Sequence, residues 1–391
     1  MKDNNYIKGF IAGVVTVVVI ALAAFLGFNA VKMVIYGTKS DNTLTINTDR
    51  VSEKLKKIEE VINSQFMGEI DNDLVEDYLY KGMIVGLNDR YAMYYNEDEY
   101  KRYQSETKGV YSGIGITFGG ETDDIKTISG VFEGSPAEEA GIKADDVIMS
   151  INGVDVKGIS TSDVVKLIQT TDDKIVKLHI YRPSEDKYFD CETRIEEVET
   201  ITVHYEMLES EIGYINISSF EGVTLKQFEE AMDYLEQNNM KGLIIDLRDN
   251  PGGLVTSVTK IVDELLPEGV VVYTEDKYGN RKEYESDADS RLNVPFAVLV
   301  NENSASAAEI FAGAVKDFKA GTIIGTQTFG KGIVQNIVPL NDGSAVKLTV
   351  ANYFTPNGNN IHKIGIEPDI EVENVEEQLN KAVEVIKEKI Q

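Results

Sequence analysis

The chain has 391 residues, with 38 basic against 66 acidic side chains and a formal net charge of −28. A surface this acidic repels phosphate backbones and gives no polybasic hold on anionic lipid, so nucleic-acid binding is set aside. The length exceeds what one core ordinarily holds and predicts two or three folded units. A single cysteine, Cys191, excludes an intrachain disulfide and reads as a bystander, since no His/Asp constellation surrounds it in the sequence.

In chain order, the first feature is an uncharged apolar run from Phe10 to Phe28, with Lys2 and Lys8 before it and Lys32 after. A run of about 20 apolar residues matches the hydrocarbon thickness of a bilayer. Residues 10–31 are therefore expected to be a transmembrane anchor, residues 1–9 a cytoplasmic tail, and everything after them to face out of the cytoplasm at the cell membrane. The alternative is a cleaved signal peptide, with an apolar core of ~7–15 residues and Ala21-Leu22-Ala23 as its cleavage site. Either way the chain enters an export route. Residues 37–47 are polar and read as a linker, and residues 48–105 as a helical region. There Val51, Leu55, Ile58, Ile62 and Phe66 recur at helical spacing, and a second helical pattern runs from Asp73 to Leu87.

Residues 109–190 form a separate segment. It opens on Ser112-Gly113-Ile114-Gly115-Ile116, continues through GSPAEEAGIKADDVIMSINGVDV and a helical stretch at Ser162–Ile168, and ends in an alternating strand at Val176–Ile180. The segment resembles a PDZ domain of the type found in exported proteases. That resemblance makes Gly113, Ile114, Gly115 and Ile116 the peptide-binding loop. Backbone amides after glycines can form a nest for a terminal carboxylate, and the peptide then adds as a strand. Gly113, Gly115 and Gly119 do not have the dinucleotide-binding spacing.

From about residue 206 strands and helices alternate: a strand at Ile212–Ile217, a helix at Thr224–Asn238, a continuous apolar strand at Gly242–Leu247, then Asn250-Pro251-Gly252-Gly253 and a helix to Leu266. A second buried strand, Phe296–Val300, precedes a helix to Phe318, and residues 322–354 read as strands with a hairpin turn at Asp342-Gly343. This is an α/β core, expected over residues 191–372, followed by a C-terminal helix over 373–391. The apolar pattern Val375, Leu379, Val383, Ile386 in that helix, with the N-terminal helices, points toward a homo-oligomer.

Ser306 lies just after the strand 296–300, at the start of the next helix and among small neighbours. A serine there can be reached by a substrate backbone, and helix amides can stabilise an oxyanion. Ser306-Ala307-Ala308-Glu309 equally fits a plain capping box. Three histidines are available as bases, and only His362 lies deep in the α/β part. The other candidate is Lys331. Gly325, Gly330 and Lys331 nearly make a phosphate-binding loop, but Gly332 stands where a hydroxyl is required and a strand-like run comes next. As a base, Lys331 would need its pKa lowered from ~10.4 by burial among residues such as Phe329 and Ile333. In a strand, positions i and i+4 share a face, so Gln335 can hydrogen-bond the Lys331 amine and orient it.

The strings DLRDNPGG, NENSASAAEI, TFGKGIVQ and NIHKIGIEPD, in this order behind a PDZ-like segment, resemble the carboxyl-terminal processing protease family from about residue 50 to 372. The resemblance implies a crotonase-like α/β core with a cap region and an inserted PDZ domain. It implies a catalytic pair of Ser306 and Lys331 supported by Gln335, and an oxyanion hole from Ala307 and Gly252 or Gly253. Substrates would be polypeptides with free apolar C-termini. Ala308 departs from the family, many members of which carry a third serine there. Two readings compete: a silent peptide-binding adaptor, and a penicillin-recognising enzyme built on Ser184-Glu185-Asp186-Lys187, which lacks a K-T-G partner. No cofactor fingerprint or metal cluster is visible.

Overall fold

The computed structural model describes residues 43–119, 126–169, 171, 173–287, 289–290 and 292–390. The expected tail and anchor, residues 1–31, lie outside the described residues, and among those described no helix is long and apolar enough to cross a membrane. The chain divides into two units, residues 1–76 and 77–391.

In the first unit, α1 (Thr48–Gln65) is opened by Asn47, whose side chain accepts the Arg50 N–H at 2.9 Å. None of its residues is buried, so the stripe of Val51, Leu55, Ile58 and Ile62 faces solvent within this chain. Helix α2 (Asn72–Val85), which matches the second expected pattern, begins in the first unit and ends in the second.

The second unit holds both the inserted domain and the core. Strand β1 (Met93–Tyr95) leads into α3 (Glu97–Lys108). The chain enters the insert on β2 (Val110–Gly113) and leaves it on β9 (Glu196–Glu199), and these two strands pair antiparallel as a ribbon. Between them lie β3 (Ile116–Phe118), β4 (Lys126–Val131), β5 (Val147–Ile151), β6 (Val154–Asp155), β7 (Ile175–Arg182) and β8 (Lys187–Arg194). They form one sheet in the order β3-β4-β5-β7-β8, with β6 beside β5. Helices α4 (Pro136–Glu139) and α5 (Thr161–Gln169) accompany it, and Ile114, Ile128, Ile148, Val164, Val176 and Ile180 fill its core. The expected boundary at residue 190 cuts through β8, which pairs with β7 from Lys187 to Arg194. The polar string KYFDCETR hides this strand, because only alternate residues touch the core. Cys191 is one of these, and burial pushes its thiol up to about 11, in keeping with an unreactive side chain.

The core is a six-stranded sheet: β10 (Val203–Leu208), β11 (Ile212–Ile217), β12 (Gly242–Asp246), β15 (Phe296–Val300), β16 (Thr322–Gly325) and β19 (Ile370–Glu371). Only β10 runs antiparallel. Every residue of β12 and β15 is buried, as their unbroken apolar sequences require. Helices α6 (Thr224–Gln237), α7 (Val255–Asp263) and α8 (Ala307–Phe318) share one large core with this sheet. Helix α9 (Val375–Ile390) buries Ala382, Val385 and Ile386 in a separate cluster with Ile212, Ile244, Ala297 and Leu299. Of the expected pattern, Leu379, Val383 and Ile386 pack in this cluster within the chain, and Val375 stays exposed.

A second sheet joins β1, β13 (Gly269–Asp276), β14 (Arg281–Ser286), β17 (Ile333–Pro339) and β18 (Ala345–Phe354), all antiparallel. The β17–β18 hairpin turns where Asp342-Gly343 predicts it. This sheet brings β1, from before the inserted domain, alongside the loop that carries Lys331.

Candidate active site

The chain leaves β15 through a tight turn, and Ser304 is its structural serine. Ser304 is fully buried, accepts the Asn301 N–H at 2.9 Å and donates to the Leu247 carbonyl at 2.8 Å. Ser306, two residues on, is half-exposed at the N-terminus of α8 with φ 56° and ψ −109°. A non-glycine residue at positive φ persists only where its surroundings over-determine it.

The 249–253 turn supplies one wall. A Cβ on Gly252 would lie 2.8 Å from Ser306 Cβ and 3.0 Å from Ala307 N, and one on Gly253 would lie 2.1 Å from the Phe220 carbonyl oxygen. Both have positive φ, 106° and 142°. No other residue type fits this approach. The sequence leaves Gly252 and Gly253 as alternative oxyanion donors, and their hydrogen bonds differ. Gly252 N–H donates to Asn250 Oδ1 at 2.8 Å, while the links to Phe220 run through Gly252 O and Leu254 N and leave out the Gly253 N–H.

Glu309 is completely buried. Its Oε2 accepts the N–H of Ser306 at 2.9 Å and that of Lys331 at 2.8 Å; its Oε1 accepts the Thr328 hydroxyl and the Gly330 N–H, both at 2.7 Å. The capping reading and the active-site reading of Ser306-x-x-Glu309 therefore coexist: the capping glutamate also gathers the lysine loop onto the serine turn.

Lys331 is half-buried, with Nζ 5.1 Å from the centre of the Tyr91 ring. Burial pulls its pKa below the ordinary lysine value and the charge of Lys347 pulls the same way; Glu309 opposes them and Arg90 adds a further downward push. Arg90 lies over the same Tyr91 ring at 4.6 Å. Neither Tyr91 nor Lys347 was flagged by the sequence. They arrive through the pairing of β1 with β18, which sets Met93 opposite Lys347, and no local motif announces that pairing.

Lys331 lies two residues before β17, on which Gln335 stands; the strand pairing skips Val350 of β18 between Val334 and Gln335, so the extra residue of that bulge is on β18. The Gln335 amide nitrogen donates to the Ile333 carbonyl at 3.4 Å. Gly332, the residue that spoils the phosphate-loop pattern, has a steric reason: a Cβ there would lie 2.5 Å from His362 N. His362 Nδ1 is shielded from water without a hydrogen-bond partner among the described residues, and burial first, then Lys363 and Arg90, hold its pKa below the usual value.

A peptidase family S41 pattern matches residues 211–372 and a PDZ domain pattern residues 127–182. The chain is 36% identical over 365 residues to the carboxy-terminal processing protease CtpA of Bacillus subtilis (strain 168), a match covering 93% of this chain and 76% of that one. It belongs to the carboxy-terminal processing proteases. CtpB of the same organism is 34% identical over 328 residues, covering 83% of this chain and 68% of its own. A solved photosystem II D1 C-terminal processing protease is 29% identical, with a TM-score of 0.48 and coverage of 81% and 86%.

In the PDZ domain of this processing protease Ile114 is 1% exposed and its side chain belongs to the domain core. Its carbonyl accepts the Ala137 N–H at 2.8 Å, and Gly115, at φ 88°, has room for no side chain beside Ser135. Ile116 opens β3, an edge strand that among the described residues pairs with β4 alone. Among the described residues no group of acidic, histidine or cysteine side chains could hold a metal ion.

Proposed function

We propose that this serine peptidase is an endopeptidase that cuts exported proteins near their C-termini, with Ser306 as nucleophile and neutral Lys331 as general base. One observation carries the reading: a single buried carboxylate oxygen, Glu309 Oε2, accepts the backbone N–H groups of both Ser306 and Lys331. The two residues are thereby tied within two hydrogen bonds of each other, beside the glycine turn. In this mechanism Lys331 Nζ takes the proton of Ser306 Oγ as the oxygen attacks the scissile carbonyl. The oxyanion forms against the N–H groups of Ala307 and Gly253. Lys331 returns the proton to the leaving amine, and water then releases the acyl group from Ser306. In this scheme the Gln335 amide orients the Lys331 amine. Incubating the enzyme with a denatured protein, beside a Ser306→Ala control, tests the reading; a silent adaptor would leave both samples uncut.

The open edge of β3 supports recognition of the substrate's C-terminus by the PDZ domain, an apolar end with a free carboxylate. Amidating the substrate removes that charge and leaves the scissile region intact. Cleavage of the amidated peptide should slow by about tenfold, the scale of one lost charge-assisted contact. Equal rates for acid and amide would mean that the domain reads something else.

The apolar run from Phe10 to Phe28 supports attachment at the cell membrane, with the peptidase outside the cytoplasm. The full-length enzyme should stay with the membrane pellet after an alkaline carbonate wash and be digested by protease added to intact spheroplasts. Release into the wash would favour a cleaved signal peptide.

A further inference from the structure

The proposed pair sits on two segments with little rigidity of their own: a turn held at an unfavourable φ, and a loop, residues 326–332, that forms neither helix nor strand. Something must fix them against each other, because a misplacement of about 1 Å between reacting groups can lower a rate by about a hundredfold. Glu309 gathers their N–H groups. Its four partners are all donors, the arrangement a carboxylate satisfies and an amide cannot. Thr328 confirms the direction: its oxygen already accepts the Ile366 N–H at 2.7 Å, so its one proton goes to Glu309.

The carbonyl groups of the same two residues are held from β18. Tyr353 is 2% exposed, and its single hydroxyl proton is shared between the Ser306 carbonyl, at 2.9 Å, and the Lys331 carbonyl. Its own N–H donates to the Gly332 carbonyl at 3.1 Å, which fixes the ring's origin to the lysine loop. Serine turn and lysine loop are thus bonded together twice, through their N–H groups by one side chain and through their C=O groups by another.

We propose that Glu309 and Tyr353 are positioning residues acting as one clamp, which sets the backbones of Ser306 and Lys331 at the separation that proton transfer needs. The inference rests on the serine–lysine reading above. Tyr353→Phe removes one oxygen and keeps the ring that fills the core. It should lower kcat by about tenfold to a hundredfold and change KM by less than about twofold, the pattern of an interaction needed only for the chemical step. Glu309→Gln should lower kcat by more, about a hundredfold to a thousandfold, since its amide would point hydrogens at two donors. It also removes the negative charge that holds the pKa of Lys331 up, so the acidic limb of its pH–rate profile should move to lower pH. Tyr353→Phe should leave that limb in place.

All variants are assayed on protein shown to be folded by circular dichroism, with Ser306→Ala alongside. The double variant should fall no further than Glu309→Gln alone, because the two side chains act on the same pair. A kcat for Tyr353→Phe within twofold of wild type, or fully multiplicative losses in the double variant, would overturn the clamp while an inactive Ser306→Ala kept the serine–lysine reading. Should Glu309→Gln fail to fold, Tyr353→Phe alone still decides. Normal cleavage by Ser306→Ala would remove the reading and the clamp together.

Discussion

Ser306→Ala should abolish cleavage and leave the fold intact. The hydroxyl is the attacking group, and removing a nucleophile of this kind lowers kcat by about five to six orders of magnitude. The structural penalty is small for two separate reasons. The bond that ties the serine turn to Glu309 runs from the backbone N–H of Ser306, which alanine keeps. The φ of 56° is no worse for alanine than for serine. A lost cap is worth about 1 kcal/mol, which a unit of this size tolerates. The check is a thermal melt and a peptide-cleavage assay on the same preparation. If the folded variant cleaved at the normal rate, the nucleophile would have to be another residue. Ser304 is a poor substitute, since it is sealed in the core with its hydroxyl bonded to Leu247.

The contrast between those two serines shows what the sequence could and could not disclose. A buried strand announces itself by an unbroken apolar run, and both Gly242–Asp246 and Phe296–Val300 do so. The turn that follows such a strand emerges at its C-terminal end, which made Ser306 a candidate, although the same string reads equally as a helix cap. Lys331 was legible through its glycine-rich string and through the family resemblance. The environment of Lys331 was not, because Tyr91, Lys347 and Tyr353 reach it along tertiary pairings between β1, β17 and β18 that leave no trace in local spacing. The inference for Gln335 assumed a strand already formed at Lys331, whereas β17 begins at Ile333. Glu309 was read as a helix cap, and is one. Its second task became visible only once the loop bearing Thr328, Gly330 and Lys331 folded onto it. In the PDZ domain, the polar alternation of β8 concealed a whole strand, and the side chain of Ile114 belongs to the domain core.

Lys331→Arg should be as inactive as Lys331→Ala. A general base must be neutral when it takes the Ser306 proton. Arginine remains protonated at any usable pH, so it keeps the charge and cannot do the chemistry. If Lys331 served only as a fixed positive charge, for instance to hold a substrate carboxylate, arginine would retain much of the activity. The pH profile gives an independent sign. Burial and the neighbouring Lys347 charge hold the pKa of Lys331 below the ordinary lysine range, so activity should rise with pH through that lowered value. Lys347→Gln removes one of the depressing charges and should move the rise to higher pH. His362→Ala should leave it in place and keep most of the activity, whereas a loss as deep as that of Ser306→Ala would restore a histidine base. Stability obeys the same shift. Between the lowered folded pKa and the unfolded one, the unfolded chain binds the extra proton, so stability rises with pH across that window and the buried ammonium is unfavourable below it. Lys331→Met should therefore be inactive yet melt at least as high as wild type near neutral pH. A Lys331→Arg enzyme with wild-type kcat would refute proton transfer to the lysine, and would leave the S41 fold and the PDZ domain standing.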